Sequence, residues 1–484
     1  MGFDSRLFNV IVLSAGFMLT FTAFQTMGNI EQTVLQSIAH EDPTFKADAY
    51  TSLAIIYAVF ATCNWIAPSF ISVTGPRTAI LTGCFCYVAF IASFLIAQTE
   101  LLYSVSALLG FGAALIWTGQ GMYLTQNSDG ETMARNAGLF WAIFQCSLFT
   151  GNLFVYFTFT GTTIEKSTRT TVFCVLTGVA VLGSLLLATL RKAAQSMEIG
   201  EAEGVSSADK ELQIPEPVKE KPLTAAWHAL RDSFRLFITG KMMLLSITFF
   251  YAGLVLTFFS GVYSSSIGFT KAMGDNSKSL VGLSGICIGV GEVVAGALFG
   301  ILASKTAKFG RDPIVIIGFV VHMFAFCTIF LNLPDSSPFK DTEDTGYIQP
   351  SPTLAMIGAV ALGFGDACFN TQVYSLLGVL YAKDSAPAFA LFKFTQSVAA
   401  AVSFAYSSHL GLYIQLGILV CFVVLGTLSF CLVEFFLRQQ KSKDSPEGSP
   451  ETISFLIERI ITSRNRLYSY DRIEVKFFFS KNCK

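Results

Sequence analysis

Twelve apolar stretches, each roughly 20 to 25 residues long, run from Leu7–Gly28 to Leu412–Leu437, and a stretch of this length crosses the hydrocarbon core of a bilayer. Because lipid offers no water to satisfy backbone amides and carbonyls, such stretches must be helical. The sequence therefore predicts an all-α polytopic membrane protein with the lipid bilayer around it. Function is expected where polar residues interrupt the apolar runs.

The predicted spans divide into six before and six after a polar central segment. They are Leu7–Gly28, Tyr50–Ile71, Ala79–Gln98, Leu101–Leu124, Ala137–Phe157, Thr171–Leu190, Met242–Tyr263, Leu280–Ala303, Ile314–Leu333, Thr353–Leu377, Ala386–Ser408 and Leu412–Leu437. Most of the 32 Lys and Arg residues then fall on the side of the membrane that holds the N-terminus. The positive-inside rule places both termini in the cytoplasm.

Composition and charge exclude several classes of protein. Of the 484 residues, 52% are hydrophobic and 13% are charged, which is outside the range of ordinary soluble domains. The net charge of −1 argues against a nucleic-acid partner, which would require a basic patch. The chain is expected to be a multi-pass membrane protein, and nothing in it indicates which membrane.

The polar central segment, Arg191 to Lys241, is rich in Glu, Lys, Ser and Ala and includes Pro215, Pro217 and Pro222, so it is a poor candidate for independent folding. We predict an N-terminal six-helix bundle (1–190), a cytoplasmic linker (191–241), a C-terminal six-helix bundle (242–437) and a cytoplasmic tail (438–484). In the tail, Ile453 to Lys484 alternates apolar and basic residues. It is either an amphipathic helix on the inner leaflet or a disordered extension.

The two predicted bundles share short sequence matches in the same order. The matches are Ala15-Gly16-x-x-Leu19-Thr20-Phe21 with Ala252-Gly253-x-x-Leu256-Thr257-Phe258, Gly110-Phe111-Gly112 with Gly363-Phe364-Gly365, Gln120 with Gln372, and Gln145 with Gln396. Ordered matches at similar offsets indicate duplicated halves related by an axis along the membrane normal. The alternative is a shared membrane composition.

Three ionisable residues, Glu292, Asp366 and Lys393, lie inside predicted spans of the second half. A lipid-facing charge at mid-helix costs about 2.5–3.5 kcal/mol, so these side chains are expected to face the bundle interior. Opposite signs predict an ion pair of Lys393 with Asp366 or Glu292. Such a pair either locks the helices together or exchanges protons during a transport cycle.

Helical spacing places each charge on a polar or small-residue face. Glu292 shares its face with four glycines, which permit close helix packing: Gly285, Gly289, Gly296 and Gly300. Asp366 shares a face with Asn370, and Lys393 shares one with Gln396. These stripes predict a lined cavity between the halves.

Uncharged polar and aromatic residues complete the predicted cavity lining. The candidates are Gln25, Asn64, Trp117, Gln120, Trp141, Gln145, Asn370, Gln372 and Gln396. Amides and aromatic rings bind an organic solute without the cost of a buried charge. They serve equally well as interhelical hydrogen bonds, which contribute about 0.6 kcal/mol each in membranes.

Enzymatic motifs are missing from the sequence. It has neither Gly-x-Ser-x-Gly nor His-Glu-x-x-His, no phosphate-binding glycine loop, and only four histidines, of which His322 reads as a satisfied interior residue. We therefore predict no catalytic residue, no metal site, no cofactor and no enzymatic activity.

Several motifs resemble the major facilitator superfamily and, within it, the uncoordinated-ninety-three branch. They are Phe21-Thr22-Ala23-Phe24-Gln25, Trp117-Thr118-Gly119-Gln120-Gly121, Arg135 to Ala142, Gly289-Val290-Gly291-Glu292, Gly365 to Gln372 and Ser385 to Lys393. The superfamily's loop motif survives only as Gly75-Pro76-Arg77 and as Gly300, Ser304-Lys305 and Gly310-Arg311. Ser72 and Ser304 replace its acidic residue.

This resemblance implies a pseudo-symmetric six-plus-six bundle and two alternative functions. One is alternating-access transport of a small solute, coupled to protons through Glu292, Asp366 and Lys393. The other is regulation or trafficking of a membrane-protein partner such as a channel or receptor, without transport. The missing loop acids count against ordinary transport cycling.

Overall fold

The computed structural model describes residues 5–444 except 43, 48, 97, 159–165, 193–221, 275–276, 278, 302–309, 340–341 and 408. All regular elements in this described part are helices, and one isolated β-bridge joins Thr270 to Thr342. Within these described ranges, eleven helices are long and apolar enough to span a membrane, and a bent helix pair gives a twelfth candidate span. Large side chains such as Phe85, Leu182 and Val320 are exposed, as expected of a lipid-facing surface. The all-α multi-pass architecture is confirmed.

The helices follow the predicted order of the two halves. The first half contains α1 (Ser5–Glu41), α2 (Ala49–Cys63), α3 (Ala67–Thr74), α4 (Pro76–Ser93), α5 (Thr99–Gln126), α6 (Met133–Thr158) and α7 (Lys166–Ala188). After the connecting helix α8 (Pro222–Phe237), the second half contains α9 (Gly240–Thr257), α10 (Ser264–Phe269), α11 (Ser279–Ile301), α12 (Asp312–Asn332), α13 (Pro352–Leu380), α14 (Ser385–Ser407) and α15 (Leu412–Asp444).

The second span is broken rather than continuous, so the predicted uninterrupted helix Tyr50–Ile71 was wrong. Helix α2 ends at Cys63, and α3 continues from Ala67 after a bend of 63°. In the break, the Asn64 amide donates to the carbonyl of Phe60 over 2.8 Å. Pro68 stands at the start of α3, where its missing N–H breaks no helical hydrogen bond.

The seventh span contains a π-helical turn. The turn, Phe258–Tyr263, separates α9 from α10, and a 3₁₀ turn follows at Lys271–Met273. A π turn accommodates one extra residue through i→i+5 hydrogen bonds. The predicted span Met242–Tyr263 therefore extends to Phe269 with a change of helical phase inside it.

Helix α8 lies within the segment predicted to be an unfolded linker. Its Phe234 and Phe237 rings stand 4.7 and 5.7 Å from the ring of Trp65, in the break of the second span. Trp65 also lies 5.1 Å from Phe394 of α14. Phe237 itself lies 6.3 Å from Phe394, so α8 has aromatic contacts with both halves. Residues 193–221 of the linker lie outside the described residues.

The repeated Gly-Phe-Gly motifs let α5 and α13 approach their neighbours closely. A Cβ added to Gly110 of α5 would stand 2.6 Å from the carbonyl oxygen of Ile56 in α2. At the matching position of the second half, a Cβ on Gly363 would collide with the carbonyl oxygen of Ile288 in α11. Each first glycine of the motif therefore serves backbone contact with the second span of its half.

The second glycines pack in the same corresponding way. A Cβ on Gly112 would collide with Cys86 of α4, and one on Gly365 would collide with His322 of α12. In each half, the fourth span is therefore wedged between the second and third spans. This shared packing agrees with the predicted six-plus-six pseudo-symmetry.

Residues Met1–Phe430 form one compact unit, and Cys431–Lys484 form a second. The described part of the second unit is the end of α15, which is helical to Asp444. The division into 1–190, 191–241, 242–437 and 438–484 and the cytoplasmic position of both termini stay predictions. The tail segment Ile453 to Lys484 and the loop residues Ser304-Lys305 lie outside the described residues.

Candidate functional site

Glu292 is completely buried on α11, between a helix of the first half and a helix of the second. The predicted glycine face of α11 packs on α6, where Gly296 and Gly300 approach the backbone of Gly138. On the other side, a Cβ on Gly291 would collide with the carbonyl oxygen of Val360 in α13. Small residues on both faces thus bring the Glu292 carboxyl to the interface between the halves.

The carboxyl group of Glu292 has partners from both halves. Trp141 of α6 donates its indole N–H to Oε2, and the Gln145 amide lies within hydrogen-bonding contact of the carboxyl. Asp366 of α13 is also in side-chain contact with it. The remaining oxygen, Oε1, has no hydrogen-bond donor among the described atoms.

Asp366 is 2% exposed and forms the second carboxyl of the site. Asn370, one helical turn later, donates its side-chain amide to Oδ2 over 2.8 Å. Oδ1 has no donor in the described part of the chain. Asp366 and Asn370 thus form a hydrogen-bonded polar pair on α13, and the Asp366 carboxyl contacts that of Glu292 from α11.

Lys393 does not form the predicted ion pair. In the described part of the chain no carboxylate lies within 4.0 Å of its ammonium group, which donates instead to Gln396 Oε1 over 2.8 Å. Its Nζ stands 4.3 Å from the ring centroid of Trp117 and 4.6 Å from that of Phe392. An amide on the same helix face and two aromatic rings stabilise the cation in place of a directly bonded carboxylate. Asp366 interacts with it electrostatically from a greater distance.

Aromatic rings from both halves surround the three charges. Trp117 of α5 and Trp141 of α6 each lie 5.6 Å from Phe144, and Trp141 lies 5.8 Å from Tyr374 of α13. The Tyr374 hydroxyl is buried without a partner among the described atoms. This residue was missed, although it follows Asp366 and Asn370 at a spacing of four on the same helix face.

The remaining predicted lining residues do not all join this centre. Gln25 accepts a hydrogen bond from Ser147, Asn64 bonds within the second span, and Gln372 donates to its neighbour Thr371 over 3.1 Å. These bonds fit the packing alternative. Gln120 is fully buried three residues after Trp117 on α5, and neither of its amide atoms is hydrogen-bonded within the described structure.

A second buried polar group lies beside the centre in the second half. The Tyr251 hydroxyl of α9 is hydrogen-bonded to His322 Nδ1, and His322 Nε2 lies 3.0 Å from the carbonyl oxygen of Leu362 in α13. This carbonyl stands one helical turn before Asp366. His322 is thus a hydrogen-bonded interior residue, as predicted. It contacts the backbone of α13 one helical turn before Asp366.

The geometry that results is a closed charged centre between two helical halves. Glu292, Asp366 and Lys393 are each 4% exposed or less, so neither face of the bundle gives access to them in this conformation. The described residues contain no group of three or more His, Cys, Asp or Glu side chains able to hold a metal ion.

Known proteins of similar sequence match most of this chain. A family model described as "Ion channel regulatory protein UNC-93" matches residues 42–431. "UNC93-like protein MFSD11" of Xenopus laevis is 45% identical over 452 residues, covering 91% of this chain and 98% of that protein. "Protein unc-93 homolog A" of Homo sapiens is 26% identical over 486 residues, covering 92% and 95%.

Solved structures of low sequence identity share the fold. The proton:xylose symporter XylE superposes with a TM-score of 0.60 at 15% identity, over 88% of this chain and 95% of that one. The Escherichia coli fucose:proton symporter FucP does so with a TM-score of 0.56 at 12% identity, over 90% and 98%. The chain therefore belongs to the UNC-93 family and has the helical fold of the major facilitator superfamily.

Proposed function

We propose that this protein transports a small solute by alternating access, with Glu292, Asp366 and Lys393 as its coupling centre. The observation that carries the proposal is the contact of Glu292 with Trp141 and Gln145 of the other half. When the halves rotate apart to open the site, these donors must separate from the carboxyl. The charge state of the centre and the opening of the bundle are therefore linked.

Protons are the coupling ion that the site favours. Two carboxyl groups in contact away from water cannot both remain ionised, so Glu292 and Asp366 hold one proton between them. Opening admits water and Lys393 to the pair, and the proton then leaves. The two symporters compared above, XylE and FucP, are proton-coupled, although the likeness to them extends only to the fold.

Uptake into proteoliposomes tests the proposal. Solutes are screened with and without an imposed pH gradient, using wild type, Glu292→Gln and the exposed-loop variant Glu343→Gln. We expect gradient-dependent uptake in wild type and Glu343→Gln, and uptake that no longer responds to the gradient in Glu292→Gln. An absence of uptake by folded wild-type protein across the screen would contradict the proposal.

A non-transporting regulator or trafficking partner is the second candidate. It is favoured by the description of the family model as an ion channel regulatory protein. It is also favoured by Ser72, which replaces the loop acid of the superfamily and donates to Ser69 in its own helix over 2.8 Å. Cross-linking in native membranes should then recover a channel or receptor in stoichiometric amount, equally well with wild type and with Glu292→Gln.

A further inference from the structure

When both of its carboxyl groups are ionised, the charged centre has one negative charge that its own residues do not compensate. Glu292 and Asp366 are two buried carboxyl groups, and Lys393 is the cation that acts on Asp366. The other titratable groups acting on the pair, Tyr251 of α9 and Cys368 of α13, are neutral in their ordinary forms. Since an unbalanced charge in the membrane interior is unfavourable, the centre needs one further monovalent cation.

Four unsatisfied atoms around the carboxyl pair are hydrogen-bond acceptors, and the Tyr374 hydroxyl beside them is also without a partner among the described atoms. Asn370 donates its amide nitrogen to Asp366, and the Gln145 amide lies against the Glu292 carboxyl. Asn370 Oδ1 and Gln145 Oε1 have no donors in the described structure. Glu292 Oε1 and Asp366 Oδ1 are also without donors. A proton shared by the two carboxyl groups provides a hydrogen bond only for Glu292 Oε1 and Asp366 Oδ1. The remaining acceptors call for a ligand that donates several N–H bonds.

The rings of the centre favour an organic cation over a hydrated metal ion. They already hold one ammonium group, because Lys393 Nζ stands over Trp117 and Phe392 at 4.3 and 4.6 Å. The ring pair Trp141 and Tyr374, 5.8 Å apart, flanks the carboxyl side of the same centre. Aromatic faces attract ammonium groups electrostatically and cover the apolar part of an organic molecule.

We propose that the centre binds an organic ammonium ion in exchange for the proton shared by Glu292 and Asp366. One R-NH3+ enters as one H+ leaves, so the charge of the centre is unchanged and no covalent bond to the solute is formed. The proposal rests on the transport function and names its substrate class as monovalent organic cations, moved against protons. Lys393 occupies the position of a second, tethered ammonium group and keeps the centre neutral in both states.

Equilibrium binding to the purified protein in lipid nanodiscs tests this inference with three matched probes. The probes are 2-phenylethylammonium, its neutral isostere 2-phenylethanol and the anion phenylacetate. We expect only the ammonium probe to raise the thermal unfolding midpoint. Its apparent affinity should rise by about tenfold per pH unit where one proton is exchanged, and a pH dye in weak buffer should record proton release on binding.

Asp366→Asn should abolish both signals, and Glu343→Gln should retain them. If Asp366→Asn does not fold, proton release by the wild type decides the question, since a merely structural carboxyl pair releases none. Preferential binding of phenylacetate would identify Lys393 as an anion site and overturn the inference. Equal stabilisation by potassium or sodium chloride, or no effect of the ammonium probe at millimolar concentration, would overturn it too.

The binding experiment is independent of the transport experiment. Gradient-dependent uptake of a neutral or anionic solute, without ammonium binding, would refute the substrate class and leave the transport function in place. Ammonium binding with proton release but without flux in proteoliposomes would refute transport and leave the cation site.

Discussion

The two halves place a glutamine at the same repeat position and use opposite ends of its amide. Gln145 in the first half faces the Glu292 carboxyl and leaves its oxygen without a donor. Gln396 in the second half accepts a hydrogen bond from Lys393 with its oxygen. The contrast indicates that the two halves share a packing scaffold, and that the charged residues of the second half give the two glutamines different partners.

The largest change in stability is expected when the cation that the second half supplies is removed. Lys393→Met leaves the negative charge of the buried carboxyl pair uncompensated, which should lower the free energy of unfolding by about 3–5 kcal/mol near neutral pH. The loss should shrink at acidic pH, because the carboxyl groups then take up protons. Thermal unfolding midpoints at acidic and alkaline pH measure both effects.

The exposed-loop variant Lys383→Met is the matched control and should leave the midpoint unchanged at both pH values. A Lys393→Met loss of the same size at every pH would mean that packing of the aliphatic stem, rather than charge balance, is what the residue contributes.

The shared scaffold is tested next by adding a methyl group to equivalent glycines. Gly110→Ala and Gly363→Ala should each destabilise by about 1–3 kcal/mol, because each Cβ meets a backbone carbonyl of the second span in its half. Gly417→Ala, which has open space around it in α15, should be neutral or slightly stabilising. Unequal losses at Gly110 and Gly363 would show that the wedge is not equivalent in the two halves.

Substitution of the two glutamines should have smaller effects on stability and different effects on transport. Gln145→Leu removes an amide from the Glu292 carboxyl, and Gln396→Leu removes the acceptor of the Lys393 ammonium group. Each should lower the free energy of unfolding by about 1–2 kcal/mol. Gln145→Leu should alter the pH dependence of uptake, since it acts on the carboxyl pair, whereas Gln396→Leu frees Lys393 and should change apparent solute affinity. Identical uptake profiles for both variants would erase the distinction between the halves.

The smallest effect concerns corresponding loops at one end of the bundle. Asp129, between α5 and α6, accepts hydrogen bonds from the hydroxyl and backbone N–H of Thr132, which hold the pKa of its carboxyl below the usual value. A lowered pKa means that this contribution is complete above about pH 4 and is lost as pH falls. Asp129→Asn should therefore cost less than about 1 kcal/mol at neutral pH and nothing in strong acid.

The corresponding loop between α13 and α14 supplies the control. Asp384 accepts the Ala388 N–H with its backbone carbonyl, so Asp384→Asn preserves that bond and should leave stability unchanged. A pH-independent loss in Asp129→Asn would contradict the assignment of the effect to the ionised carboxylate.

Span number and the polar interface could be predicted because both follow from the bilayer as solvent. A run of apolar residues must be helical there, and Glu292, Asp366 and Lys393 had to turn inward. The partner of Lys393 could not be predicted, because sequence fixes the face of a helix and not the rotamer of a long side chain. An amide three residues away on the same helix was a nearer partner than the carboxyl groups.

The break in the second span and helix α8 were not predicted, although the sequence contains a local signal for each. Pro68 marks the start of a helix and so marks the break in the second span. Trp227, Leu230, Phe234 and Phe237 recur at helical spacing within the linker, but the polar composition around them hid helix α8. The order of α8 depends on Trp65 and Phe394, which are distant in sequence and therefore invisible to a local pattern.

The extra residue in the π turn Phe258–Tyr263 makes the seventh span adjustable. If that extra residue migrates along the span through residues 264–269, each residue that it passes rotates by about 100° about the helix axis, and its amide still finds a carbonyl inside the membrane. Residues 264–269 can thus turn a new side toward α11 without melting. A straight helix would have to bend or dissociate to achieve the same reorientation.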